Sequence, residues 1–173
     1  MLAKVHEHIY LGDFHGCSSH LPPLSRDEEP RATIHACKDP CHKQAVQYTG
    51  TLAPTHPQYL IKEGPHDLYL NMIDPTQPLF RLELFWAAAG FIDKHIATRP
   101  IVIHCTQGLS RSPSLFLVYG ARHGILPSDY DGATYALRKL FPDFTPGQGI
   151  ALYCRTNWEE LLHAGPDVSA PAQ

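Results

Sequence analysis

The amino-acid sequence predicts an α/β domain built on a central, mainly parallel sheet flanked by helices, and three observations lead to that reading. Short apolar, β-branched runs alternate with longer segments of helical period, the order that makes parallel strands joined by helical crossovers. The run Ile101–His104 has no polar side chain before its last residue, as expected of a strand buried on both faces. The chain has 173 residues, 43% apolar and 18% charged, which is enough for one packed core and too apolar for a disordered chain.

The elements follow in order. Val5–Leu11 alternates loosely and stops at Gly12-Asp13, so it reads as an edge strand and turn. Leu21–Pro30 is a polar, proline-bearing loop, and Ala32–Cys37 a short buried strand. Lys38–Asp67, rich in Pro, His and Gly, reads as a long insert with one helical turn around His42–Tyr48. Insertions of this length in a domain usually serve as lids or are disordered. Leu68–Ile73 is another strand, ending at Asp74-Pro75.

Pro78–Thr98 is the clearest helix. Pro78 suits its first turn, and Phe80, Leu84, Ala88, Phe91 and His95 fall on one face. After Ile101–His104 and a turn, an apolar helix runs from Ser112 to His123 and is closed by Gly124. Ser128–Leu140 and Gly147–His163 make two more. Residues 1–164 therefore form one domain, with 165–173 a small, proline-rich tail expected to fray.

Composition bounds the partners. A net charge of -3 supplies no bulk attraction to nucleic acid or anionic lipid. No apolar run approaches the roughly 20 residues of a membrane helix, which argues against membrane insertion. Met1–Asp13 lacks the features of a signal peptide. A cytoplasmic location is expected. The cysteines, Cys17, Cys37, Cys41, Cys105 and Cys154, are odd in number, which argues against a complete disulfide framework and fits a reducing compartment. The sequence is silent on oligomeric state.

Chemistry concentrates in IVIHCTQGLSRSPS, where a buried strand runs into Cys105, five residues intervene, and Arg111 opens a helix. A tight loop through Thr106, Gln107, Gly108, Leu109, Ser110 and Arg111 can turn its backbone N–H groups inward and cradle a phosphate. The following helix N-terminus adds its dipole. Gly108 permits a backbone conformation closed to other residues, and Arg111 offers a planar fork matched to two phosphate oxygens. The same field favours the thiolate of Cys105, and Pro113 leaves no unsatisfied donor in the first helical turn.

The pattern His104-Cys105-x-x-Gly108-x-x-Arg111-Ser112 resembles the signature loop of the dual-specificity branch of the protein tyrosine phosphatases. The likeness covers most of the chain. HIYLGD (His8–Asp13) is similar to that family's first strand and turn, and YLNMIDPTQ (Tyr69–Gln77) to its general-acid loop. AGFIDKHI (Ala89–Ile96) and ALRKLFPDFTPGQGIALY (Ala136–Tyr153) also match, in family order.

The resemblance implies a protein tyrosine phosphatase-like fold. It also implies a phosphatase acting on phosphorylated protein through a phosphocysteine, with Cys105 as nucleophile, Arg111 as clamp and Asp74 as general acid. It further implies that Ser112 assists the thiolate and that His104 orients the loop. Ser112 also suits a helix N-cap, and Asp74 before proline also suits a turn. The loop carries no lysine, which favours phosphoprotein over polyphosphorylated lipid. RNA 5′-phosphates and phosphoinositides remain alternative substrates, and a non-catalytic phosphate-binding module is the alternative outside the enzymes.

No cofactor and no metal is expected. His35, Cys37, Cys41 and His42 are close in sequence, but their order differs from the usual zinc spacings. Cys37 carries a second reading. Relatives such as phosphoinositide 3-phosphatases have a cysteine near this strand end that pairs with the nucleophile, which implies a redox partnership between Cys37 and Cys105. The other reading of Cys37 is a small buried packing residue.

Overall fold

The computed structural model describes residues 2–17 and 31–163. The expected Leu21–Pro30 loop and the 165–173 tail lie outside the described residues. Six strands form one mixed sheet: β1 (Leu2–His6), β2 (Ile9–Gly12), β3 (Ala32–His35), β4 (Ile61–Glu63), β5 (Asp67–Leu70) and β6 (Ile101–His104). Their spatial order is β1-β2-β6-β3-β5-β4. The inner strands β2, β6, β3 and β5 are mutually parallel, while β1 and β4 pair antiparallel at the edges. The helices are α1 (Lys43–Val46), α2 (Leu82–His95), α3 (Arg111–Arg122), α4 (Tyr130–Leu140), α5 (Gln148–Thr156) and α6 (Trp158–Leu162).

The strand register sorts side chains by face. Leu11, Ile103, Ile34 and Leu68 form one cross-strand row, all fully buried in the main apolar core. One residue further on, Gly12, His104, His35 and Tyr69 form the next row. Successive side chains of a strand alternate between faces, so this second row lies on the other side of the sheet. Helix α3 is buried from Ser112 to Ala121 and packs against α2, α4, α5, α6 and β6. Burying side chains such as Leu115, Phe116 and Leu117 stabilises by roughly 1.5–3 kcal/mol each. That burial fixes the helix whose first residue is Arg111.

Four details differ from the sequence reading. Val5–Leu11 is not one edge strand: the chain turns at Glu7-His8, so β1 takes the edge and β2 sits inside beside β6. The 38–67 insert contains β4, a short edge strand whose three residues carry too little pattern to be read. Helix α2 begins at Leu82 rather than Pro78, because Arg81 is extended and the Pro75 and Gln77 carbonyls pack against Gly149. The last expected helix is two, because at Asn157 the backbone leaves the helical region and both its N–H and its Nδ2 donate to the Tyr153 carbonyl.

Candidate active site

The turn between β6 and α3 wraps a single sulfur. Cys105 is buried, at 1% exposure. Its Sγ receives the Gly108 backbone N–H at 3.2 Å and the Ser112 hydroxyl at 3.3 Å, and both donors suit a sulfur carrying negative charge. Gly108 has φ +77°, and a Cβ there would lie 2.9 Å from the Gly12 carbonyl oxygen and from the Asp13 nitrogen. The loop is therefore closed against the end of β2, helped by Cys105 N–H donating to Gly12 O (3.3 Å) and Phe14 N–H to Thr106 O (3.2 Å). Thr106 and Gln107 are exposed at the rim, Leu109 is half-buried, and Ser110 is buried.

Arg111 spans the site. One guanidinium nitrogen donates to Thr106 Oγ1 at 3.0 Å and the other to Met72 O at 3.0 Å. Its Nε is buried and has no hydrogen-bond partner among the described residues. Held from two sides, the guanidinium keeps Nε as an unused donor.

Asp74 is exposed, two residues past the Met72 that Arg111 grips. Its carboxylate lies against Gly147, where a methyl group would overlap it. The segment carrying Gly147 is bonded to the loop: Gly147 N–H donates to Ser110 Oγ at 2.9 Å and Thr145 N–H to Leu109 O at 2.9 Å. Thr145–Gly149 thus joins the cysteine loop to the aspartate-bearing loop. Sequence reasoning quoted TPGQG only as part of a resemblance and gave it no part in the site. Its two glycines, one capping and one inside the first turn of α5, were the available signal.

Behind the loop, on the opposite face of the sheet, a second cluster assembles. His104 Nε2 is 2.7 Å from His35 Nδ1, and His35 Nε2 is 3.0 Å from Asp67 Oδ1. His35 also stacks on Tyr69, with ring centroids 4.3 Å apart. The asparate bond raises the pKa of His35 against the opposing effect of burial. Cys17, just after the turn that follows β2, has its Sγ 3.6 Å from His35 Nδ1 and within 4.8 Å of a ligand atom of Cys41 and of His104. The adjacent Cys41, His104 and His35 hold the Cys17 thiol well below its ordinary range, while Cys41, beside Cys17 and Cys37, is pushed up, since neighbouring thiols resist sharing a second negative charge.

The sequence cluster of His35, Cys37, Cys41 and His42 does not assemble as such. His42 is buried elsewhere, bonded to Tyr48 Oη (3.2 Å) and Gln58 O (3.0 Å). Cys37 is extended and fully buried, and the neighbouring Cys41 thiol lowers its pKa against the opposing effect of burial. The Ala36 N–H donates to His104 O at 2.8 Å, so Cys37 lies one residue beyond the position opposite Cys105.

No family model matches the chain, and no curated protein matches its sequence. Its structure is similar to that of the human tyrosine phosphatase-like serine/threonine/tyrosine-interacting protein, with TM-score 0.66, 17% identity, and 94% of this chain and 98% of that one covered. Human DUSP28 is similar with TM-score 0.63, 17% identity, and 94% and 95% covered. PTPMT1, solved in complex with PI(5)P, is similar with TM-score 0.60, 16% identity, and 92% and 96% covered. The chain has the dual-specificity phosphatase fold: a mixed six-stranded sheet flanked by helices. Among the described residues, no helix is long and apolar enough to cross a membrane.

Proposed function

We propose that this chain is a cysteine-dependent phosphatase that hydrolyses phosphate monoesters on phosphotyrosine and phosphoserine/phosphothreonine proteins in the reducing cytoplasm. The observation that carries the reading is the pair of donors, Gly108 N–H and Ser112 OH, converging on Cys105 Sγ in the loop that ends at Arg111. A phosphate seated in the loop receives backbone N–H groups from Thr106–Arg111, the α3 dipole and the guanidinium. Cys105 attacks phosphorus, the P–O bond to the leaving group breaks, and Asp74 delivers the proton to that oxygen. Water then displaces the thiolate, with Asp74 now accepting its proton and the Ser112 hydroxyl stabilising the departing sulfur. His104, fixed by His35, orients the strand end that carries the nucleophile.

The absence of lysine from the loop favours phosphoprotein. A phosphoinositide is the second reading, because PTPMT1, solved with PI(5)P, shares the fold. The test is turnover of para-nitrophenyl phosphate by wild type and Cys105→Ser, followed by a panel of phosphotyrosine, phosphothreonine, phosphoinositide and RNA 5′-phosphate substrates. Cys105→Ser should abolish turnover while retaining phosphate-ester binding. Binding without wild-type turnover would make the chain a phosphate-binding module.

A further inference from the structure

We propose that Cys17, His35, Cys41 and His104 bind one zinc ion in a closed tetrahedral site that pins the back of the phosphate loop. One ligand atom from each residue lies within 4.8 Å of all the others. Zinc bonds of roughly 2.0–2.1 Å to nitrogen and 2.3 Å to sulfur require ligand atoms about 3.3–3.8 Å apart in a tetrahedron. The 3.6 Å from Cys17 Sγ to His35 Nδ1 already meets that requirement. The 2.7 Å between the two imidazole nitrogens is a hydrogen bond, and it opens by roughly 0.6 Å when both lone pairs turn to a metal.

The outer shell points the same way. His35 directs Nε2 at the Asp67 carboxylate, which leaves Nδ1 as the lone-pair nitrogen facing the cluster. Metal-bound histidines commonly have this carboxylate backing. His35, Cys41 and His104 are buried, at 1%, 5% and 0% exposure. With two thiolates and two imidazoles the coordination is complete, so the ion is structural rather than a generator of bound hydroxide.

The four ligands come from four separate places: the segment after β2, the end of β3, the 38–67 insert and the end of β6. A metal joining them ties down the strand end that delivers Cys105. It also ties the β2-end segment, which contacts the loop through Phe14 N–H to Thr106 O and through Gly12 against Gly108. It gives the insert a structural purpose, since the insert carries Cys41. Metal binding is read without substrate or turnover, so its failure and the failure of the phosphatase reading are distinguishable.

The experiment is elemental analysis of the untagged full chain after desalting, with cobalt(II) substitution of the same protein. One equivalent of zinc is expected, and the cobalt form should show thiolate-to-metal charge transfer and the intense visible bands of a tetrahedral site. Cys17→Ser and Cys41→Ser should lose at least tenfold in zinc affinity by chelator competition, while Cys37→Ser and Cys154→Ser retain it. The cobalt spectrum keeps the test valid if the serine variants fail to fold. Any of four results overturns the proposal: wild type neither holding nor taking up zinc, iron in its place, octahedral cobalt bands, or a Cys17–Cys41 disulfide in protein purified under reducing conditions.

Discussion

Replacing Gly108 with alanine perturbs the phosphate cradle at its tightest point. The residue sits at φ +77°, where a side chain costs roughly 1–2 kcal/mol. The added Cβ would also lie 2.9 Å from two backbone atoms, Gly12 O and Asp13 N, and neither can swing away as a flexible side chain would. Overpacking of this kind costs roughly 1–3 kcal/mol, so the total is about 2–5 kcal/mol against a typical stability of 5–15. Most of the protein should remain folded, with the loop displaced from the end of β2. Because Gly108 N–H is one of the two donors on Cys105 Sγ, displacement also removes a bond from that sulfur. The assay is a urea melt beside para-nitrophenyl phosphate turnover and orthovanadate inhibition. The expected result is a clear loss of stability, with turnover and vanadate affinity each reduced at least tenfold. Stability within about 0.5 kcal/mol of wild type, the range of neutral surface substitutions, together with unchanged vanadate affinity, would refute the argument that this close approach shapes the cradle.

Three further outcomes are expected. Asp74→Asn should lose roughly 10²–10⁴-fold in rate on leaving groups that need a proton and much less on activated esters; an equal loss across leaving groups would show that Asp74 only shapes its turn. Gly149→Ala should produce a weaker form of the same leaving-group dependence, because a methyl group there collides with the Pro75 and Gln77 carbonyls and lifts the Asp74 loop; a uniform drop would place the effect elsewhere. Burial, with Lys94, Arg99 and His66 nearby, lowers the pKa of His95, so the unfolded chain takes that proton more readily. The stabilising effect is complete above about 6.5, the ordinary histidine value, and is lost as pH falls through the lowered one. His95→Leu should therefore show a smaller drop in Tm between neutral and mildly acid pH, and an unchanged slope would remove His95 from the account.

The signature loop was legible because its parts are contiguous: a buried strand, the thiol, Gly108, the guanidinium and a helix start all fall within Ile101–Ser112. The parallel core was legible for the same local reason. The second cluster was not, because its members stand at positions 17, 35, 41 and 104 and meet only through tertiary folding. Proximity in sequence grouped His35, Cys37, Cys41 and His42 instead, in an order unlike the usual zinc spacings, and the structure turns His42 toward Tyr48 and Gln58. One clue was available: His35 and His104 each end a short apolar strand, and adjacent parallel strands place such residues side by side. The hairpin at Glu7-His8 and the three-residue β4 stayed hidden because short edge strands, half in water, carry a weak apolar pattern.

The cysteines behind the loop also bear on oxidation. A thiolate that attacks phosphorus is open to peroxide, which converts Cys105 to a sulfenic acid with loss of hydroxide. A second thiol then condenses with it, forming the S–S bond and releasing water. Cys37 and Cys41 are the candidates, both buried free thiols. If Cys41 is held by zinc, its sulfur is a metal ligand and Cys37 is the thiol left to react. The Cα separation is within reach of a bridge, though the side-chain directions are not. With Ala36 opposite Cys105, a strand spacing of about 4.8 Å and a rise of about 3.3 Å put the Cys37 and Cys105 Cα atoms roughly 6 Å apart, inside the ~7 Å limit for a disulfide. Their side chains leave opposite faces of the extended chain, so the bridge requires the backbone at Cys105 to move and the loop to open, and the oxidised form should bind vanadate poorly. The measurement is peroxide treatment of wild type, Cys37→Ser and Cys41→Ser, then peptide mapping and thiol rescue. Wild type and Cys41→Ser should yield a Cys37–Cys105 peptide and recover activity, while Cys37→Ser over-oxidises and does not. Equal recovery by all three without that peptide would leave Cys37 a packing residue.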